Sequence, residues 1–565
     1  MTDLVMTLAA VFVAAGVLVL AAHRIGVPAV PAFLLAGLLV GPWIDESALF
    51  DLAVWGIAFL VFLFGIRVDL ADLHAVFRDA ELAAGAQLLV VGPIAFAVGY
   101  TCALVFGFDS PVRNAIYFAA AATLSSTIVG SSALASDVRR NLLHGRLASA
   151  VHVFDDLVAI GLLVVLSVPV LTDPDLIAAQ LGYALVVILA GVLVYRHGFP
   201  LLVRLADGSA ELVLMGSISI LIAFLAAAEL VGISMVVGAF AAGIAIRREG
   251  ATALAVRNGI QAIRDFFVAI FFVTVGALVQ IPSAQGLLLA GVLVVVTVVV
   301  NPIIHTGAFT AEGYDARSSF LAATNLNHTS ELALVIAIQA AVLETIATDV
   351  FDAIILAAAV TMALGATTRH EHWAHHRFVD PLFHEWDAAR LVERSSIPDD
   401  LSGHAIVIGY GRLGHRLRDT FEELSLDVVA IENDPLRQES IISECDHYVF
   451  GDATNPLVLE FVGIDAASIV ISTAENPTID RRLLEAETDA FVVLRSEDPK
   501  RALSLFERGA GYVIVPDVLA GGYLETIIRQ FCTDERDGDE LRDEHFRVLE
   551  RSEAEPLDHG WRPSD

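Results

Sequence analysis

The chain is nearly without lysine: Lys500 stands alone against 33 arginines in 565 residues. Acidic residues outnumber basic ones 66 to 34, a formal net charge of −32. Nucleic-acid backbones bind clustered Lys and Arg, so this balance excludes a nucleic-acid partner. Cysteine is equally scarce. Cys102, Cys445 and Cys532 have no CxxC spacing, which argues against a disulfide framework or a zinc site and suits a reducing cytosol for the last two. The N-terminus, MTDLVMTL, has no basic stretch before its apolar run and reads as a retained first span, not a cleaved signal.

Apolar residues are what the chain has in excess, 56 % of the total with a mean hydropathy of +0.69. That composition describes a polytopic α-helical membrane protein with room for a soluble domain. Residues 1–370 carry 15 Arg against 25 acids, whereas residues 371–565 carry 19 basic and 41 acidic residues. The soluble part therefore holds most of the negative charge, an acidic, Lys-poor surface that suits a salt-loving prokaryote. Apolar runs broken by Gly, Pro or charge give 13 spans between residues 4 and 366. With the N-terminus outside, the inner loops and the last span's end collect 14 arginines, and the outer loops hold only Arg113. An odd number of spans places the C-terminal domain in the cytoplasm of a cell-membrane protein.

The two halves echo each other: AGLLVG (36–41) and FLFGIRVDL (62–70) against AGIAI (242–246) and FVTVGALVQI (272–281). Inverted repeats place substrate sites at mid-membrane beside helices broken by small or polar residues. Two spans have such breaks, TLSSTIVGSS (123–132) and NLNHTSE (325–331), and read as crossing broken helices whose unpaired backbone lines a cavity or is buried in protein. Between them, LASAVHVFDDLVAIGLLVVLSVPV (147–170) carries adjacent acids, Asp155 and Asp156, in a run long enough to span. A charge there costs at least about 2.5–3.5 kcal/mol, so such a pair marks an ion or proton path. The broken segment just before it supplies Ser126 and Thr127 as candidate partners in ion binding.

Residues 1–368 thus form the membrane domain and 369–403 a polar, His-containing connector with a surface-lying amphipathic middle. From His404 to about residue 532, short strands alternate with helices, the pattern of a cytoplasmic, Rossmann-like α/β domain with a doubly wound parallel sheet. Gly409-Tyr410-Gly411-Arg412-Leu413-Gly414 joins the first strand to its helix, and Glu432 ends the second strand. Strand before, helix after and acid at that distance make this a nucleotide site, with Asp452 at the end of the third strand. Glu432 accepts from ribose hydroxyls and disfavours a 2′-phosphate, so NAD(H) or an adenine nucleotide (AMP or ATP) fits. The acidic tail, 533–565, reads as disordered.

With FDDLVAIGLL, LSSTIVGSS, FFVTVGAL and GYGRLG in place, the chain resembles Kef-type members of the monovalent cation/proton antiporter superfamily (CPA2) that carry an RCK (KTN, TrkA-N) domain, over roughly residues 5–530. The resemblance implies an antiporter of K+ or Na+ against H+, embedded in lipid and paired as a homodimer through its RCK domains, with Asp156 carrying the ion or the proton. The position before it is Gln in glutathione-gated potassium efflux members and Asp in several sodium/proton exchangers; here it is Asp155. A Lys is common in the eleventh span, where this chain has Asn301, with His305 one turn on. His328-Thr329-Ser330-Glu331 stands where the family has Gln-Gly-Gly-Glu, and Glu331 reads as a brace of the crossover. Two acids allow two protons against one monovalent cation, hence electrogenic exchange. RCK domains also regulate channels, so the alternative is a ligand-gated, channel-like potassium efflux protein, but no TVGYG-like filter occurs. A membrane-anchored dehydrogenase would need a substrate domain after the nucleotide fold.

Overall fold

The computed structural model describes residues 2–25, 29–43, 46–67, 81–127, 130, 143–166, 174–207, 209–246, 266–279, 283–365, 395–398, 401–434, 437–533 and 536–554. Most of the connector and many of the orienting arginines, such as Arg139, Arg140, Arg247 and Arg369, lie outside these residues. The chain divides into two compact units, 1–138 with 144–312 and 318–376, and 139–143 with 313–317 and 377–565.

In the first unit, helices lie in each of the apolar runs read from the sequence. Among the described residues, six are long and apolar enough to cross a membrane, including α1 (Leu82–Phe106), α3 (Leu143–Leu166), α4 (Ala284–Glu312) and α7 (Thr348–Gly365). Two other runs are broken. One holds α2 (Pro111–Thr123) and then extended chain. The other holds α5 (Ala316–Thr324), whose first two residues belong to the second unit, an irregular stretch, and α6 (Glu331–Val342). Prolines shape the long helices. Gln87–Val91, Val194–Gly198 and Val296–Val300 are π-helical turns, and Pro93, Pro200 and Pro302 follow them by two residues. A proline inside a helix lacks the N–H and crowds the preceding turn, which a widened turn relieves.

The echoing segments pack crosswise. Gly65, of the first half's second segment, meets Gly243, of the second half's first; a Cβ on either would lie 2.7–2.8 Å from the other's Cα. Gly37 likewise abuts Gly276. This exchange of partners is what a two-fold relation between the halves produces. Backbones approach this closely only where no side chain intervenes. Gly243→Val should therefore cost at least about 1–3 kcal/mol, measured as a lowered thermal midpoint of the protein in lipid.

The second unit holds a six-stranded, all-parallel sheet: β1 (Ala405–Ile408), β2 (Val428–Glu432), β3 (His447–Phe450), β4 (Ile469–Ser472), β5 (Phe491–Arg495) and β6 (Tyr512–Ile514), in the order β3-β2-β1-β4-β5-β6. Its central strands are nearly continuous in Val, Ile and Ala because helices cover both faces. The order reverses between β1 and β4, where doubly wound sheets open a ligand crevice. One expectation is corrected: within the acidic tail, Gly538–Ala554 is helical and not disordered. Its Glu, Leu and Arg residues are strong helix formers, and pairs such as Asp543 and Arg547 stand four apart, so high charge does not here mean absence of structure.

Candidate ion-binding crossover and nucleotide cleft

The crossover is built where the two broken runs meet. After α2 the chain turns extended at Leu124, whose carbonyl accepts from the Ser330 amide at 2.9 Å. Ser125 and Thr329 form an antiparallel bridge, and the Ser126 amide donates to His328 Nδ1 at 3.0 Å. Ser330 then caps α6, accepting from the Leu332 amide at 3.0 Å. Backbone left unpaired by the breaks is thus satisfied inside the protein, as hydrocarbon surroundings demand. Glu331, fully buried, sits in the first turn of α6, where the helix dipole favours an acid.

Against this crossover lies α3 with both acids buried. Asp156 Oδ1 accepts from the Thr127 hydroxyl at 2.9 Å. Asp155 takes a different set of donors: the Ser125 amide at 3.0 Å and the Ser125 hydroxyl on Oδ2, and Gln87 Nε2 at 2.6 Å on Oδ1. Ser125 Oγ also lies 2.9 Å from His152 Nδ1, and the His152 ring stacks on His328 with centroids 5.8 Å apart. Asp155, Asp156 and Thr127 come together as the sequence suggested, but Ser125 and not Ser126 hydrogen-bonds Asp155. Gln87 was missed. The signal that could have found it is an amide within the apolar run of α1, one turn before Gly92-Pro93.

Asn301 has a definite task. Its Nδ2 donates to the Ala122 carbonyl at 2.7 Å, and Gln87 Nε2 donates to the Thr123 carbonyl, so two amides on α1 and α4 cap the orphan carbonyls at the end of α2. Asn301→Ala would leave the Ala122 carbonyl buried without that donor, and we expect a loss of about 1–3 kcal/mol in membrane-domain stability, read from thermal unfolding in detergent or lipid.

In the second unit the glycine-rich turn follows β1. Gly409 has φ +81°, a left-handed conformation that favours glycine. Gly411 precedes α8 (Arg412–Glu423), whose first turn contains Leu413 and Gly414. The Arg412 side chain is outside the described residues. A Cβ on Gly414 would lie 3.2 Å from Tyr410 and Val407, so this glycine sets how closely α8 packs on β1. Glu432 Oε1 accepts from the Asn433 amide at 2.9 Å and the Asp434 amide at 3.2 Å, and Arg437 lies 3.5 Å from its other oxygen. Burial raises the Glu432 carboxyl above its ordinary range, with Arg437 opposing. Asp452 accepts from the Thr454 amide at 2.8 Å and pairs with Arg317 at 2.6 Å. Burial alone would raise its carboxyl, but Arg317 and the Thr454 hydrogen bonds hold it low.

Residues 8–370 match the sodium/hydrogen exchanger transmembrane family, and residues 405–516 match the TrkA-N domain. A helical membrane unit of this kind joined to a nucleotide-binding regulatory domain defines a cation/proton antiporter, a transporter and not an enzyme. The chain belongs to the sodium/hydrogen exchanger family, as a Kef-type antiporter with a C-terminal TrkA-N domain. It is 26 % identical over 539 residues to a putative K(+) efflux antiporter, KefB, of Alkalimonas amylolytica, covering 89 % of this chain and 78 % of that one. It is 24 % identical over 543 residues to the putative cation/proton antiporter YbaL of Escherichia coli, covering 91 % and 95 %. The sodium proton antiporter MjNhaP1 of Methanocaldococcus jannaschii shares the fold, with a TM-score of 0.50 and 15 % identity over 66 % of this chain and 96 % of that one.

Proposed function

We propose that the protein exchanges a monovalent cation, K+ or Na+, for protons by alternating access at the Asp155/Asp156 pair. The observation that carries this reading is a buried carboxylate, Asp156, hydrogen-bonded to Thr127, which directly follows the extended stretch 124–126, inside a helical membrane unit. Cation and proton compete for the same oxygens, and a site open to one side at a time converts that competition into exchange. Thr127 and the chain around Ser126 supply oxygens that replace part of the cation's water shell. His328 and Glu331 hold the crossover in shape.

The cytoplasmic domain regulates transport by binding NAD(H), AMP or ATP at Gly409, Gly411, Arg412, Leu413, Gly414, Glu432 and Asp452. The N-terminus lies outside the cell membrane, and two copies pair through their TrkA-N domains, linked to the transporters by the connector at 369–403. A nucleotide shifts transport only by its differential affinity for the two states. The test is proton flux in proteoliposomes of the full chain, driven in turn by K+ and Na+. Cation-dependent, coupled proton movement supports exchange; uncoupled ionic current would identify a channel instead, and no flux with either cation would sink the reading.

A further inference from the structure

Gln87 lies between two ionisable side chains that the mechanism so far treats separately. Its Nε2 faces Asp155 Oδ1 at 2.6 Å and the Thr123 main-chain carbonyl, and its Oε1 faces His305 Nε2 at 3.0 Å. The orientation of this amide follows from its neighbours. A main-chain carbonyl only accepts, so turning Gln87 round would set its oxygen against the Thr123 oxygen and the Asp155 carboxylate together. With Nε2 so fixed, Oε1 must face the histidine. The other ring nitrogen, His305 Nδ1, lies 2.8 Å from the Asn301 main-chain carbonyl. Both nitrogens of His305 therefore meet oxygens that accept and do not donate. A neutral imidazole has one N–H and one lone pair and satisfies only one such oxygen; an imidazolium donates to both.

We infer that His305 is a buried imidazolium that serves as the countercharge of Asp155, with Gln87 hydrogen-bonded to both and holding them in register. A lone cation in this position would be costly, and a buried charge persists where an opposite charge and hydrogen bonds compensate it. Gln87, Asp155 and His305 are all buried, and Asp155 is further held by the Ser125 amide and hydroxyl. Among the described residues, His152 on α3 and His328 at the crossover also stand near this network, and Asp156 is next to Asp155 in sequence. Ser126 donates to Nδ1 of His328, which keeps that ring neutral with its proton on Nε2.

The consequence deepens the exchange mechanism proposed above and rests on it. Asp155 stays ionised opposite His305 through the cycle, so Asp156 alone alternates between proton and cation. One proton then moves against one monovalent cation, and exchange carries no net charge, contrary to the two-proton cycle that a bare pair of acids allows. His305 is a positioning residue, acting on the ion through Gln87 and Asp155.

The test uses full-length protein in lipid vesicles, with its 17 histidines labelled with nitrogen-15 for solid-state resonance. At about pH 9 an ordinary histidine is neutral. The wild type should retain an imidazolium signal there, and His305→Gln and Asp155→Asn should each remove it. A wild type without that signal, or a signal that survives His305→Gln, overturns the assignment. In a second arm, an imposed membrane potential should leave the wild-type exchange rate unchanged; voltage-dependent exchange overturns the one-for-one consequence. If the wild type shows no exchange, the antiport reading fails while the resonance signal still decides the state of His305.

Discussion

Replacing Asp156 by Asn should reduce cation-driven proton flux to that of protein-free liposomes. An amide of nearly the same shape keeps an oxygen for the Thr127 hydroxyl, so the crossover should assemble as before. What it loses is function: an amide neither releases a proton nor neutralises a bound cation. Because the loss is of chemistry and not of packing, the variant should unfold at nearly the wild-type temperature. Flux near wild type in Asp156→Asn would reject the site. A large fall in thermal stability with partial flux would instead make Asp156 a structural acid.

The second large effect belongs to the cytoplasmic domain. Gly411→Ala should be well tolerated by the fold itself, since its φ of −88° suits any residue and, among the described residues, the added methyl meets only the end of the Arg437 side chain, at 3.0 Å. A bound pyrophosphate would meet the same methyl where backbone amides must approach it. Glu432→Ala removes a charged acceptor for ribose hydroxyls, worth about 1.5–3 kcal/mol, or roughly tenfold to a hundredfold in affinity. Titration of NAD(H), AMP and ATP onto the full-length protein by calorimetry should show both losses. Because burial raises the Glu432 carboxyl, it gains its proton at a higher pH than an ordinary carboxylate, and binding that needs the anion should weaken as pH falls through that raised value. Equal binding by the wild type and both variants, or pH-independent binding, would reject the site as drawn.

Much of this architecture is written locally in the chain. Adjacent acids in an apolar run, polar breaks at 123–132 and 325–331, and a glycine turn between strand and helix are each visible over a dozen residues or fewer. What escaped depends on tertiary register. Ser125, not Ser126, reaches Asp155 because alternate residues of an extended segment face opposite ways, and which face meets α3 is fixed only by the bridge to Thr329. Gln87 escaped because one neutral amide barely alters the hydropathy of a long apolar helix, and its position depends on a widened turn set by Pro93. Asn301 read as a missing charge, whereas its role is to cap a helix far away in the sequence. The helix at Gly538–Ala554 was masked by charge density, which sequence alone reads as solvated chain.

The crossover makes one mechanical part from two pieces of chain. Ser126 and His328 are 202 positions apart in sequence yet share a hydrogen bond, with Ser125 and Thr329 paired beside them. Residues 325–331 are therefore a structural half of the proposed ion site, joined to the half at 125–127 through these contacts. Exchanging that segment alone between related transporters would carry over half of a joint, so if the site proposed above holds the cation, its selectivity should pass on only when both pieces move together.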